Sequence, residues 1–418
     1  MKKEYILIYL FLASYFFTNA QVISLDSVLR IIEKNNPELK MMDAQIESMN
    51  AFANGAKSWD APQVGTGFFM TPYNPMMWRA DKQSMNNGMG SYMLSIQQMI
   101  PNHTKLKANE KYMKSMSGIE KENKNFLRNK IFTDAKMSYY ETILMQKKLS
   151  VLSETEDVLK LIIKSSEIRY AYSQDKLGSI YKAKAQLEEL KTMRYMFENE
   201  INQNQIMLNT LMYKNSSEQL ILDTVISFKN YDVLPIDTSV FLKFRSDLRA
   251  IDLSISSKQS KQLFEQSKRL PDFGIKYDHM FSFGNQPQLF SIMGMITIPI
   301  VPWSNKMYTS SVSGIGYEIE ALKQEKKSIQ NELAGRLETL RRKIQLQKLQ
   351  LKLYEENIIP ALRKNYQANL LAYEQNTEEL FMVLDAIQML KMNQIAYYDT
   401  MQQLLLIQTE YEKEIEQE

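Results

Sequence analysis

Sulfur is the donor this sequence holds in excess. Methionine occurs 27 times, and Met70, Met76, Met77, Met85, Met89, Met93 and Met99 crowd one stretch. Thioether sulfur is soft and suits Cu(I) or Ag(I). The plainer reading is that flexible methionine fills irregular apolar gaps. The other usual reagents are scarce. Cysteine is absent, which removes disulfides, thiol nucleophiles and lipid-attachment cysteines. His103 and His279 are the only histidines, too few for the usual histidine metal site or a relay of acid–base groups. No nucleophile–base pair or phosphate-cradling glycine loop is present. These residues argue against an enzyme and predict no cofactor. With 51 Lys plus Arg against 48 Asp plus Glu, the net charge of +3 carries no footprint for nucleic acid or a strongly acidic partner.

The elements that must position these residues are dominated by one stretch. From Asn102 to Leu234 there is no proline, and only Gly118 and Gly178 among glycines. Leu127, Ile131, Ala135, Tyr139, Ile143, Leu152, Leu159 and Ile163 recur at helical spacing, and nothing stops a helix from propagating. One helix over about 103–170 would span ~100 Å at 1.5 Å per residue. Such a helix needs a packing partner along its length, because propensity alone does not hold it.

The N-terminus has the layout of a secretory signal. Lys2 and Lys3 precede the apolar run Ile6–Phe17, and small residues lead to a predicted cut between Ala20 and Gln21. The run is shorter than the ~20 residues that span a bilayer, the alternative being an N-terminal anchor helix. No later stretch holds 18 uninterrupted apolar residues. That leaves a periplasmic or secreted protein, or a membrane β-barrel.

In chain order, helical sequence from Ser24, a candidate N-cap, is broken near Pro37. Alternating apolar and polar residues then predict strands at about 62–72, 91–101, 271–283 and 289–301. The last two follow helical sequence over 241–269 and lead into helical sequence to Glu418, interrupted at Pro360. The passages register. Leu39, Asp43, Ile46 and Pro62 match Leu248, Asp252, Ile255 and Pro271; Pro101 and Lys105 match Pro302 and Lys306. Tyr170, Leu177, Ile180, Ala183 and Leu187 match Tyr373, Leu380, Val383, Ala386 and Leu390. The expectation is a signal peptide over 1–20, a first repeat over 21–235 and a second over 236–418, each running helix, strand, strand, long helix, helix.

Four strands cannot close a sheet, and an open edge in lipid leaves backbone groups unpaired. Several copies lending four strands each to one barrel would solve this, with helical hairpins packed side by side as a helical cylinder. The alternative is a small soluble sheet with one wet face. The expected fold is therefore mainly α with a β-barrel portion: long antiparallel hairpins forming an α-barrel, four transmembrane strands per chain and a two-fold internal repeat.

The ordered set of short motifs Asn35-Asn36-Pro37-Glu38-Leu39, Arg245-Ser246-Asp247-Leu248-Arg249-Ala250, Leu270-Pro271-Asp272-Phe273, Met99-Ile100-Pro101 and Ile298-Pro299-Ile300 resembles the TolC-like outer-membrane efflux proteins. Ala183-Lys184-Ala185-Gln186 and Val383-Leu384-Asp385-Ala386 add to it, and the likeness covers nearly the whole mature chain. The resemblance implies a homotrimer with a twelve-stranded barrel in outer-membrane lipid of a Gram-negative cell. It also implies a periplasmic α-helical tunnel whose closed end opens when a periplasmic adaptor (membrane fusion) protein and an inner-membrane pump dock. Its hairpin turns place Ser173, Gln174, Asp175, Gln375 and Asn376 at the tunnel tip as adaptor contacts. The family usually carries Gly where Ser173 and Asn376 stand, and Asn tolerates the left-handed conformation better than Ser. Some members carry acids just beyond the turn. Ser179 and Met382 occupy those places here, with Glu378, Glu379 and Asp385 as nearby gate-charge candidates.

The function implied is a passive exit duct. Its methionines raise the heavy-metal branch of the family, an outlet for copper or silver cations. The alternatives are a secreted coiled-coil structural or adhesive rod, and an outlet for secreted protein.

Overall fold

A computed structural model describes residues 22–80, 87–229, 231 and 244–416. The predicted signal segment with Ala20 and Gln21, Met85 and the junction of the two halves at 235–236 lie outside these residues. Within them the chain is mostly helical with one antiparallel sheet. It divides into two compact units, and each draws on both halves of the sequence.

The sheet unit comprises the described residues of Met42–Asn123 and Asp247–Ile329. Its strands are β1 (Gln63–Phe69), β2 (Ser91–Ile100), β3 (Asp272–Ser282) and β4 (Leu289–Thr297), in the order β1-β2-β3-β4. All pairs are antiparallel, with Thr66 opposite Leu94, Leu94 opposite His279 and His279 opposite Phe290. Because side chains alternate between faces, this register gathers the alternate, apolar residues of all four strands on one side. β4 stops four residues before the expected 301. Thr297 opposes Asp272, the first residue of β3, so the next residues find no partner strand, and Pro299 has no N–H to offer. Asp272 also anchors the chain beyond β2: it accepts from Asn102 N–H at 2.9 Å and pairs with Lys105 at 2.6 Å. Outer strands β1 and β4 each have one unpaired edge among the described residues.

The helical unit comprises the described residues of Met1–Met41, Lys124–Ser246 and Gln330–Glu418. Helix α1 (Leu25–Asn35) starts at Ser24, whose side chain caps Ser27 N–H, and is followed by α2 (Pro37–Gly55). The break expected at Pro37 is made by Asn36, whose Oδ1 accepts from Glu38 N–H at 2.9 Å while its Nδ2 donates to the Leu211 carbonyl at 3.0 Å. The long predicted helix is α3 (His103–Ala171), 69 residues without interruption. It turns into α4 (Leu177–Leu211); in the second half α5 (Ser246–Ser267) precedes the sheet and α6 (Pro302–Leu353) follows it. A π-turn over Tyr354–Ile358 leads to α7 (Ile359–Glu374) and then α8 (Leu380–Ile415). The widened turn accounts for the passage of Pro360: the Ile359 N–H reaches Tyr354 O, and the ladder skips the donor proline lacks. Three buried apolar clusters hold this unit. One packs Val28 and Ile32 on Ile131, Tyr139 and Leu208; another packs Leu159 and Ala183 on Tyr373 and Val383; the third packs Leu337 and Ile344 on Leu404 and Tyr411.

Candidate functional site

Both hairpin turns of the helical unit end their first helix in the same way. Ser173 and Asn376 adopt φ of 61° and 57°. At the first turn Gln174 N–H reaches Arg169 O at 3.0 Å and Ser173 N–H reaches Tyr170 O at 2.9 Å. At the second, Thr377 N–H reaches Ala372 O at 2.9 Å and Asn376 N–H reaches Tyr373 O at 3.1 Å. This pair of bonds closes a helix with one left-handed residue, satisfying carbonyls that would otherwise be left over. A serine accepts the left-handed position here, at the steric cost an L residue carries.

The turns are clasped to each other. Tyr373 is buried on α7; its hydroxyl donates to Asp175 Oδ2 at 2.5 Å and lies 2.9 Å from the Ser166 hydroxyl of α3. Arg169 stacks over the Tyr373 ring at 4.4 Å, donates to Asn376 Oδ1, and holds its Nε 3.6 Å from Asp175. Burial, together with the Asp175 carboxylate that accepts its proton, pushes the Tyr373 phenol up to about 12. Lys176 pairs with Glu379 at 2.6 Å, both side chains being exposed, so this bond adds little stability.

Of the residues singled out from sequence, Asp175 and Asn376 thus enter the clasp, and Ser173 shapes its turn. Gln174 and Gln375 present exposed side chains beside it. Glu379 is ion-paired, whereas Glu378 and Asp385 are exposed with no ion pair among the described residues. Arg169, Ser166 and Tyr373 were not predicted as site residues. The repeat register did mark Tyr373 through its mate Tyr170, but Tyr170 is exposed.

The sheet unit is two-faced. Val64, Phe68, Tyr92, Ile96, Phe273, Ile275, Tyr277, Phe281, Phe290, Ile292 and Ile296 share one side and are exposed. An exposed apolar surface of this extent marks contact with lipid or another protein. Tryptophans bracket it. Trp59 and Trp303 are exposed at the end where β1 begins and β4 leaves; Trp78 stacks on Phe283 at 5.4 Å in the connections at the other end. Aromatic girdles at both borders of an apolar band characterise membrane barrels. Those connections dock backbone on backbone: Gly88 and Gly284 have φ of 82° and 67°, and a Cβ at Gly284 would lie 2.4 Å from the Asn87 carbonyl oxygen.

The opposite side carries Gln63, Ser95, Gln97, Ser291 and the ion pair Lys276–Asp278 at 3.0 Å. Here also lie five methionines, two of which, Met93 and Met99, belong to the methionine-rich stretch of the sequence. Met93 faces Met280 across the β2–β3 pair. Met99 and Met295 converge over Gly274, where a Cβ would fall 2.6 Å from the Met99 sulfur and 3.1 Å from the Met295 methyl. Met293 is the next residue along that face of β4. No group of three or more His, Asp or Glu side chains is placed to hold a metal among the described residues. No described helix is long and apolar enough to cross a membrane.

No protein-family profile and no curated protein sequence matches this chain. Solved structures do. The outer-membrane channel OprN matches with a TM-score of 0.76 at 12% identity, over 94% of this chain and 89% of that one. The outer-membrane protein VceC of Vibrio cholerae matches with 0.73 at 15% identity, over 94% and 95%. CusC, described for its transmembrane channel formation, matches with 0.72 at 13% identity, over 96% and 95%. The chain therefore shares the fold of these solved outer-membrane proteins. It is the fold of the TolC-like outer-membrane efflux proteins that the sequence resembles.

Proposed function

We propose that the protein is the outer-membrane exit duct of a tripartite efflux system in a Gram-negative cell. Three copies lend four strands each to a twelve-stranded barrel, their hairpins wall a periplasmic tunnel, and an adaptor and an inner-membrane pump dock at the turns. The chain does no chemistry of its own; selectivity is steric and electrostatic. The observation that carries this reading is the four-stranded sheet, open at both edges and apolar on one exposed face. Such a sheet is tolerated in lipid only when neighbours pair the edges. The expected result is a heat-modifiable trimer in outer-membrane fractions that conducts ions in planar bilayers. A monodisperse single copy in detergent-free buffer would overturn it.

The two clasped turns form the closed tip, with Gln174 and Gln375 as adaptor contacts and Glu378 and Asp385 as gate charges free to meet a passing cation. The methionines support copper or silver as cargo. They line the polar face, which is the lumenal face in this reading, where gap-filling in a dry core does not explain them. Met99→Leu/Met293→Leu/Met295→Leu keeps apolar volume and removes sulfur. It is expected to lower copper and silver tolerance toward that of a gene deletion. Unchanged metal tolerance with lost drug or dye tolerance in the deletion strain would reject the metal cargo and leave the duct.

A further inference from the structure

Lys391 on α8 has a side chain with no use in the duct as described. The residue is 3% exposed, yet no carboxylate lies within ion-pair distance of it among the described residues. Every other buried lysine or arginine of the helical unit has a partner: Lys148 pairs with Asp399 at 2.5 Å and Arg245 with Glu414 at 2.5 Å. Burial pushes the Lys391 ammonium below its usual range, partly offset by Glu189. Its Nζ is not one of the fully enclosed polar atoms that lack a partner, so the ammonium opens on space rather than on protein, where an anion can reach it.

Lys391 borders a cavity of about 190 Å³ between α3, α7 and α8. Arg363 of α7 reaches the same cavity and is likewise without an ion pair among the described residues. The one acid on its lining is Glu154 of α3, exposed, so the lining carries a net positive charge. Val158, Ile387 and Leu390 add apolar side chains to the same lining. The volume is below the roughly 300–1,000 Å³ of sites for drug-sized ligands, so the occupant is small.

We infer that this cavity binds a small organic carboxylate, its head on Lys391 and Arg363 and its apolar body against Val158, Ile387 and Leu390. A carboxylate supplies the missing counter-charge, and the apolar side chains select it over chloride or phosphate. Because the cavity is walled by α3 from one hairpin and by α7 and α8 from the other, the bound acid ties the two hairpins of a chain together. This assignment stands independently of the exit-duct reading.

Benzoate is the probe, with chloride and phosphate at matched ionic strength as controls, read as the melting temperature of the full chain purified in detergent. The wild type is expected to show a saturable rise of several degrees with benzoate and none with the inorganic anions. Lys391→Arg should keep the response, and Lys391→Met should lose it. Arg363→Gln, at an exposed position, should shift the half-saturating concentration about tenfold upward and serves if Lys391→Met does not fold. No benzoate response in the wild type, an equal response to chloride or phosphate, or an unchanged response in both Lys391→Met and Arg363→Gln overturns the proposal.

Discussion

Ile292→Lys is expected to abolish trimer assembly in the outer membrane, while Ser291→Lys, one residue earlier, is expected to leave it intact. Ile292 lies mid-strand on the exposed apolar face, opposite Tyr277. A lysine at the bilayer midplane of a barrel costs ~2–4 kcal/mol, being stripped of water with no partner in lipid. Three copies bring the cost to roughly 6–12 kcal/mol, comparable to the whole ~5–15 kcal/mol that keeps a domain folded. Ser291 points the other way and stands opposite Asp278, so a lysine there meets a carboxylate on the polar side. Heat-modifiable trimer in outer-membrane fractions, scored by gel shift, separates the two. Equal assembly of both variants would mean that the lipid-facing side has been assigned wrongly.

Tyr373→Phe should loosen the clasp between the hairpin turns while keeping the buried ring and its stack on Arg169. What is lost is a donor to Asp175, whose side chain is 4% exposed. A hydrogen bond to a charged group contributes ~1.5–3 kcal/mol, so the balance between clasped and open turns should move ~10–150-fold. Arg169→Ala removes the stack, the bond to Asn376 and the ion pair with Asp175 together, and should act more strongly still. Single-channel recording without partner proteins reads both as a higher open probability. The wild-type phenol sets a pH signature. Its pKa in the folded chain is raised to about 12, so its contribution is complete below its ordinary value of ~10 and is lost as pH rises through about 12. Opening attributable to this group should therefore be flat through neutral pH and rise only above pH ~10, a rise absent from Tyr373→Phe. Unaltered conductance in both variants would show that the clasp does not hold the tip.

Much of this molecule is legible in its sequence. A 69-residue helix needs only the absence of stops, and the absence is visible from Asn102 onward. Strand faces were legible because alternation is a property of each strand alone. Register was not, because it depends on which residue of another strand stands opposite. That is why the Met93–Met280 pair and the Met99–Met295 approach over Gly274 emerged only in the fold. The end of β4 at Thr297 has the same origin, since a strand stops where its partner does. The clasp escaped because Arg169 and Tyr373 belong to different hairpins, and the duplicated register equates Tyr373 with an exposed Tyr170. Lys391 escaped for another reason. Beside Leu390 in an apolar-periodic run, a lysine reads as a long stem with its head in bulk water, and only the fold shows the residue buried beside a cavity.

The unpaired edges of β1 and β4 have a bearing on how the molecule is made. In the exit-duct reading, a solitary copy reaching the bilayer would have to bury bare N–H and C=O groups in hydrocarbon, so insertion and self-association would collapse into a single concerted event. For a ring of three, the yield of inserted protein should scale with roughly the cube of free copy number when copies are scarce. The cell would then sense a sharp synthesis threshold, below which the chain waits outside the bilayer and above which pores appear all at once.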